Sequence, residues 1–364
     1  MNTKTCAVAV TALWAFLTVF AWFSPAKELS EAERRPLAQM PGITAQNLLD
    51  GDFMEDFADY AVDQFPLRET FRQLKSLFHL YGIGQQDKNG LYLADGHVAE
   101  MLYPMDEQAL SGNLSRLQLL YDTYLKDSDC RIFSAVIPHK GYYLAGESGH
   151  LSLDFDRLTA TVGQALPWAE TVPLADCLDA SSYYATDLHW KQEALFPVAQ
   201  RLCQTLGVTS PKTEDFVQTS LERPFYGVYY GQMALPMKPD TLRLLENDLL
   251  KNCTVYDHES GKTTAVYNME KLDSKDLYDV YLSGARSLLT IENPMASSDR
   301  ELVLIRDSFS SSLAPLLLQD YAKVTLVDIR YLSTENLGRF LDFDRQDVLI
   351  LYSANVLNTP GILR

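Results

Sequence analysis

Positive charge is the first shortage in this sequence: across 364 residues, 31 Lys and Arg stand against 48 Asp and Glu, a formal net charge of −17. With no basic surplus to neutralise phosphates, nucleic-acid binding is excluded as a function class. Cysteine is scarce too. None of the five falls in a C-x-x-C spacing, which removes the usual structural zinc arrangement, and no metal site is expected. Apart from Cys6, the set Cys130, Cys177, Cys203 and Cys253 is even in number and compatible with two bridges or with buried thiols. Glycine-rich phosphate cradles and dinucleotide fingerprints are absent, so no cofactor is expected.

Long apolar runs are limited to residues 6–23, preceded by Lys4 and followed by Ser24-Pro25-Ala26-Lys27. Such a run just suffices to span a bilayer and exceeds the core of an ordinary signal peptide. Residues 1–26 are therefore expected to be a single-pass membrane anchor, with the rest of the chain outside the cytoplasm. Cleavage after Ala26, giving a secreted protein, is the alternative. Residues 27–50, with Pro36, Pro41 and mixed charge, read as a stalk, and residues 51–364 as the folded domain.

Two stretches carry the chemistry. In Tyr184-Ala185-Thr186-Asp187-Leu188-His189-Trp190, Asp187 and His189 are two positions apart, so both side chains lean to one side of an extended or turning segment while Leu188 packs the other way. A carboxylate on one imidazole nitrogen sets the tautomer and leaves the other nitrogen free to take a proton from a hydroxyl. Ser308 is the candidate hydroxyl. It follows the short apolar run 301–305 and precedes an apolar helical pattern, so it sits where a strand hands over to a helix, a place with backbone donors for a developing oxyanion.

Asp187-Leu188-His189-Trp190 resembles the Asp-x-His-Trp motif of the DHHW family, relatives of the alginate O-acetyltransferase proteins with an SGNH-hydrolase-like fold. Arg306-Asp307-Ser308-Phe309 is similar to that family's serine block, with Arg306 in place of the glycine of Gly-Asp-Ser. Further similarity lies in residues 30–37, 63–68, 138–140 and 327–331. The resemblance implies a circularly permuted motif order, with Asp-x-His before serine, and a catalytic trio of Ser308, His189 and Asp187. It also implies a pocket role for Lys140, which together with Arg306, Arg330, Asn355 and Trp190 completes the candidate substrate-binding set.

The periodicity supports an α/β fold. Apolar spacing predicts two helices on either side of Pro66, a strand over residues 90–97 ending in an Asp-Gly turn, and a helix over 107–126. Strand 130–137 ends at Pro138, placing His139 and Lys140 at a carboxyl end, where open α/β sheets bind ligands. A helix over 154–166, a strand over 171–176 and a helix reaching residue 206 follow. Residues 208–300 change to short strands, among them 226–231 and 263–267, and read as a β-rich insertion. After Ser308 come a helix over 310–321, a strand over 322–327, a helix near 333–341 and a strand over 347–352. Strand and helix in alternation predict a parallel sheet flanked by helices, with right-handed crossovers that bring Arg330 and Asn355 to the rim that carries Ser308.

The activity that the DHHW resemblance implies is O-acetyl transfer to a cell-surface or exported polysaccharide through an acetyl-serine, with a membrane-bound O-acyltransferase as donor partner. A carbohydrate acetylesterase and a non-catalytic glycan-binding scaffold are the alternatives.

Overall fold

A computed structural model describes residues 2–364, which divide into two compact units: residues 2–89 with 230–238, and residues 90–229 with 239–364. The smaller unit begins with α1 (Thr3–Phe23), the one helix among the described residues long and apolar enough to cross a membrane. The expected stalk holds a short antiparallel pair, β1 (Leu29–Ser30) and β2 (Arg35–Pro36), and α2 (Ala45–Asp50). Beyond it are α3 (Asp52–Asp63) and α4 (Arg68–Leu77), separated at Pro66 as the spacing predicts. Charge ties these pieces together. Arg35 grips Asp63 through two nitrogens at 2.8 and 2.6 Å, and Arg68 and Arg72 meet Glu33 at 2.6 and 3.1 Å. The Arg35 guanidinium holds the Asp63 carboxyl down at about 2.

The larger unit opens with a hairpin of β3 (Leu91–Ala94) and β4 (His97–Glu100), turning on Asp95 and Gly96, both with positive φ. That is the backbone a two-residue hairpin turn needs, and Asp-Gly supplies it at low cost. There follow α5 (Glu107–Leu120), β5 (Arg131–Ile137), α6 (Gly141–Ser148), α7 (Phe155–Ala165), β6 (Glu170–Thr171) and α8 (Phe196–Leu206). Next come β7 (Val217–Phe225), α9 (Val228–Met233, of which residues from Tyr230 on belong to the smaller unit), β8 (Asp240–Glu246), α10 (Asp248–Asn252), β9 (Thr254–Asp257), β10 (Lys262–Thr264) and β11 (Leu288–Glu292). The chain closes with β12 (Arg300–Arg306), α11 (Ser310–Leu313), β13 (Tyr321–Val327), β14 (Asp347–Ser353) and α12 (Ala354–Leu357).

Eight strands form the central sheet in the order β10-β9-β11-β13-β12-β14-β5-β6. From β13 to β6 every pairing is parallel, and β10, β9 and β11 extend the other edge antiparallel. Both faces of the parallel part are covered, which is why its strands are nearly continuous apolar runs. Leu302, Leu304, Leu349 and Leu351 point to the face packed by Val198, Leu202 and Leu206 of α8. Their neighbours Val303, Ile305, Val348 and Ile350 point to the face packed by Leu114 and Leu117 of α5 and by Leu158 and Val162 of α7. Two-residue alternation in the strands thus serves two helical layers at once.

Several local expectations change. The strand expected over 171–176 pairs only at Glu170 and Thr171; the Val172 N–H adds one bond to the Ser134 carbonyl at 2.8 Å, and the chain then leaves the sheet for a 3-10 turn at Ala175–Cys177. Residues 226–231 lie not in a strand but around the start of α9, since a short apolar run fits either form. Much of the 208–300 segment joins the main sheet as β9, β10 and β11, while β7 and β8 form a separate pair. The helix expected over 310–321 is a single α turn followed by a 3-10 turn at Ala314–Leu317, with Pro315 inside it, and 334–339 is likewise 3-10. So short a helix brings little dipole to Ser308. All five cysteines are free thiols.

Candidate active site

The carboxyl ends of the parallel strands deliver the serine. Strand β12 runs buried to Arg306, and the chain then turns so that Asp307 is fully buried and Ser308 only half-buried. Asp307 fixes this turn from inside: one carboxylate oxygen accepts from the Phe309 N–H at 3.1 Å, the other from the Ser353 N–H at the end of β14 at 2.7 Å. The Arg306 guanidinium adds bonds from Nη1 to the Asp307 carbonyl at 3.2 Å and to the Ser311 hydroxyl at 3.1 Å.

The Asp-x-His loop approaches from the segment before α8. An antiparallel bridge between Tyr183 and Trp190 closes it at the neck, with the Tyr184 N–H donating to the His189 carbonyl at 3.1 Å. Leu188 packs against the core as its place in the tripeptide predicts. His189 Nδ1 lies 2.6 Å from Asp187 Oδ1, and His189 Nε2 lies 2.9 Å from Ser308 Oγ. Asp187 also accepts the His189 N–H at 3.0 Å and, on its other oxygen, the Val228 N–H at 2.7 Å. With its carboxylate acting only as acceptor, Nδ1 carries the proton and Nε2 is left to accept from the serine hydroxyl. Carboxylate, imidazole and hydroxyl therefore form one hydrogen-bonded chain, buried at the Asp187 end and open toward solvent at Ser308.

Three distant groups shape that loop. Lys140, 4% exposed, extends Nζ to the carbonyls of Asp187 at 2.7 Å, Tyr184 at 2.8 Å and, more distantly, Ala185. Burial pushes its ammonium down to about 7, against the pull of Asp187 and Asp240. The Asp240 carboxylate receives the N–H groups of Ala185 and Thr186, both at 2.8 Å, and the Thr186 hydroxyl at 2.6 Å. Gly227 lies so close that a Cβ there would stand 2.3 Å from Asp187 Cβ and 2.4 Å from the Thr186 carbonyl.

All five candidate substrate contacts have hydrogen-bond partners within the fold. Trp190 is fully buried, its indole N–H shared between the Phe309 carbonyl at 2.9 Å and Ser312 Oγ at 3.0 Å. Lys140 caps the loop carbonyls, and Arg306 lies beneath the serine turn with no exposed surface. Arg330 grips Asp328 through two nitrogens at 2.8 and 2.6 Å. Asn355 follows the end of β14, is only partly buried, and donates to Glu100 Oε2 at 2.8 Å. A substrate contact from Lys140, Arg306 or Trp190 would break buried bonds, so the structure puts these three to work inside the protein. Sequence reasoning did not find Asp240, Gly227 or Tyr278. The Tyr278 ring stacks on the His189 imidazole at 4.0 Å between centroids and 12° between planes. All three come from the 208–300 segment, where no motif separates them from their neighbours.

No family model matches the sequence, and no curated protein matches it. Among solved structures, a DHHW family protein from Eubacterium siraeum aligns with a TM-score of 0.62 at 18% identity, over 76% of this chain and 94% of that one. PatB1 from Bacillus cereus, solved free and with a sulfonyl adduct, aligns with a TM-score of 0.59 at 15% identity; with the adduct, the match spans 75% of this chain and 97% of that one. The O-acetyltransferase domain of Pseudomonas putida AlgJ aligns less well, with a TM-score of 0.45 at 15% identity over 74% of this chain and 92% of that one. At such identities the relation is one of fold, and this chain shares the fold of the DHHW family protein and of PatB1.

Proposed function

We propose that this protein is a serine-dependent O-acetyltransferase acting on a cell-surface or exported polysaccharide. The observation that carries this reading is the unbroken chain of hydrogen bonds from Asp187 through His189 to Ser308. Ser308 Oγ attacks the acetyl carbonyl carbon of a donor while His189 Nε2 takes its proton. His189 then returns that proton to the leaving group, and acetyl-Ser308 remains. A sugar hydroxyl next attacks the acetyl-serine, gives its proton to Nε2, and regenerates free serine. Asp187 holds the imidazole in the reactive tautomer and balances its charge throughout. A fold shared with PatB1, a protein that forms a sulfonyl adduct, suits a nucleophile of this kind.

In this reading α1 is a membrane anchor, the larger unit faces outward, and the acetyl group arrives from a membrane-bound O-acyltransferase. The order Asp-x-His before serine is a permuted SGNH order, and residues 208–300 are an insertion that adds the Asp240 and Gly227 supports. Lys140, Arg306 and Trp190 position the reacting groups, leaving Arg330 and Asn355 as the substrate contacts.

Incubation with phenylmethanesulfonyl fluoride, followed by peptide mass spectrometry, tests the nucleophile. A stoichiometric adduct on Ser308 that vanishes in Ser308→Ala is expected, and an unlabelled Ser308 in folded protein would overturn the catalytic reading in favour of a scaffold. With a chromogenic acetyl ester and an oligosaccharide acceptor, acetylated sugar is the expected product. Acetate alone would reassign the protein as an esterase, since water and sugar compete for the same acyl-enzyme.

A further inference from the structure

We infer that Tyr278 is a positioning residue of this site: its ring face sets the tilt of the His189 imidazole, and its hydroxyl ties the Asp-x-His loop to the serine turn through Ser312. The inference rests on the serine reading above, because it concerns how the imidazole serves Ser308.

Asp187 pins one imidazole nitrogen, but a single hydrogen bond leaves the ring free to tilt about the Nδ1 contact. Tyr278 removes that freedom by lying nearly parallel to the ring at 4.0 Å, while Phe309 leans on it at 4.8 Å and 53°. The tyrosine is itself buried and anchored. It sits in the 3-10 turn Leu277–Val280, its N–H is received by Asp276 Oδ1 at 3.0 Å, and the Tyr281 and Tyr184 rings pack edge-on to it at 5.0 and 6.4 Å. At its far end the hydroxyl meets Ser312 Oγ at 2.8 Å, the atom that also receives the Trp190 indole N–H at 3.0 Å and lies 3.4 Å from the Phe309 carbonyl. A serine hydroxyl offers one donor and two acceptor sites. Ser312 Oγ thus takes the tryptophan N–H, shares a hydrogen bond with the tyrosine hydroxyl and keeps a longer contact to the Phe309 carbonyl. Burial pushes the Tyr278 phenol far above its ordinary range, which keeps it protonated.

This arrangement joins three separate segments: Trp190 beside His189, Phe309 beside Ser308, and Tyr278. It also has an electrostatic consequence. When His189 accepts the serine proton it becomes a cation against the negative face of the tyrosine ring, an attraction that converts to roughly a three- to thirtyfold effect on rate.

The test reads Ser308 reactivity directly, as the second-order rate of labelling by phenylmethanesulfonyl fluoride per folded molecule, alongside kcat and KM for a chromogenic acetyl ester. Tyr278→Leu, which removes both face and hydroxyl, is expected to lower the labelling rate and kcat by about tenfold or more, with KM within about twofold. Tyr278→Phe keeps the face and should restore most of the labelling rate. Tyr278→Phe and Ser312→Ala break the same hydrogen bond, so each should cost a few-fold and the double variant little more than either alone. This pair decides the matter if the leucine variant does not fold. Wild-type labelling rates in Tyr278→Leu, or in both members of the milder pair, would overturn the inference while Ser308 labelling in the parent leaves the serine reading standing. A parent protein that does not label at Ser308 overturns both.

Discussion

The serine turn and the Asp-x-His loop meet across 2.9 Å, yet they are held in different ways. The turn is held by its own neighbourhood: a strand buried in the middle of a parallel sheet, the adjacent Asp307, and the end of the next strand. The loop has no ladder beyond one bridge and is held by scattered contacts from afar: the Val98 and Tyr229 N–H groups on the Ala185 and Thr186 carbonyls, the Lys140 and Asp240 side chains, and Gly227 pressed against its back. The turn therefore shares its fate with the core, whereas the loop can lose its geometry while the sheet stays folded. Substitutions in the loop should damage activity more than stability, and those in the turn should do both.

The largest effect is expected at Asp187. Asp187→Asn keeps the shape but reverses the tautomer preference of His189, and kcat for an acetyl ester should fall by roughly four powers of ten with little change in melting temperature. A variant within tenfold of the parent would break the comparison at its centre. Gly227→Ala comes next, because the added methyl would sit against backbone-linked atoms of Asp187 and Thr186 that cannot swing aside. A displacement near 1 Å at the imidazole should cost on the order of 10² in kcat, and hydrogen exchange in β12 and β14 should stay at parent levels. Increased exchange there would show that loop and sheet are coupled.

Asp307→Asn probes the other side. An amide can accept from only one of the two N–H groups now bound to Asp307, so a buried donor at Phe309 or Ser353 is left unsatisfied. Urea denaturation should show a loss of about 1–3 kcal/mol, and activity should fall with the folded fraction. Full stability with lost activity would mean that the turn is no better supported than the loop.

A separate readout, stability against pH, reports on Lys140. Its ammonium is held near 7 when folded and returns to its ordinary, higher value when the chain unfolds. Between those two values the unfolded chain binds a proton that the folded one lacks, so this group's contribution to stability rises with pH above 7 and is flat below it. Lys140→Met should flatten the stability profile from pH 7 to 10 by up to about 1.4 kcal/mol per pH unit. Parallel profiles for the two proteins would show that Lys140 does not titrate in that range.

Legibility followed the range of the forces involved. The strands ending at Ile137, Arg306, Val327 and Ser353 could be read from their apolar runs, because a strand covered on both faces must be apolar throughout. Segment 226–231 was misread because a few apolar residues fit a strand or a helix equally, and the choice fell to the Val228 N–H, which the Asp187 carboxylate receives at the start of α9. Lys140, Arg306 and Trp190 were expected to meet substrate from their places beside the motifs. Position along the chain shows that a residue lies near a site, but not whether its side chain points outward or is spent inside.

The amino-acid order set the two motifs, the alternation of strand and helix, and the apolar N-terminal run, because each depends on residues within a turn or two of one another. Folding alone decided that His189 lies within a hydrogen bond of Ser308, and that Asp240, Gly227 and Tyr278 stand around them. Those contacts join segments far apart in the chain, and their geometry comes from packing that no local pattern encodes.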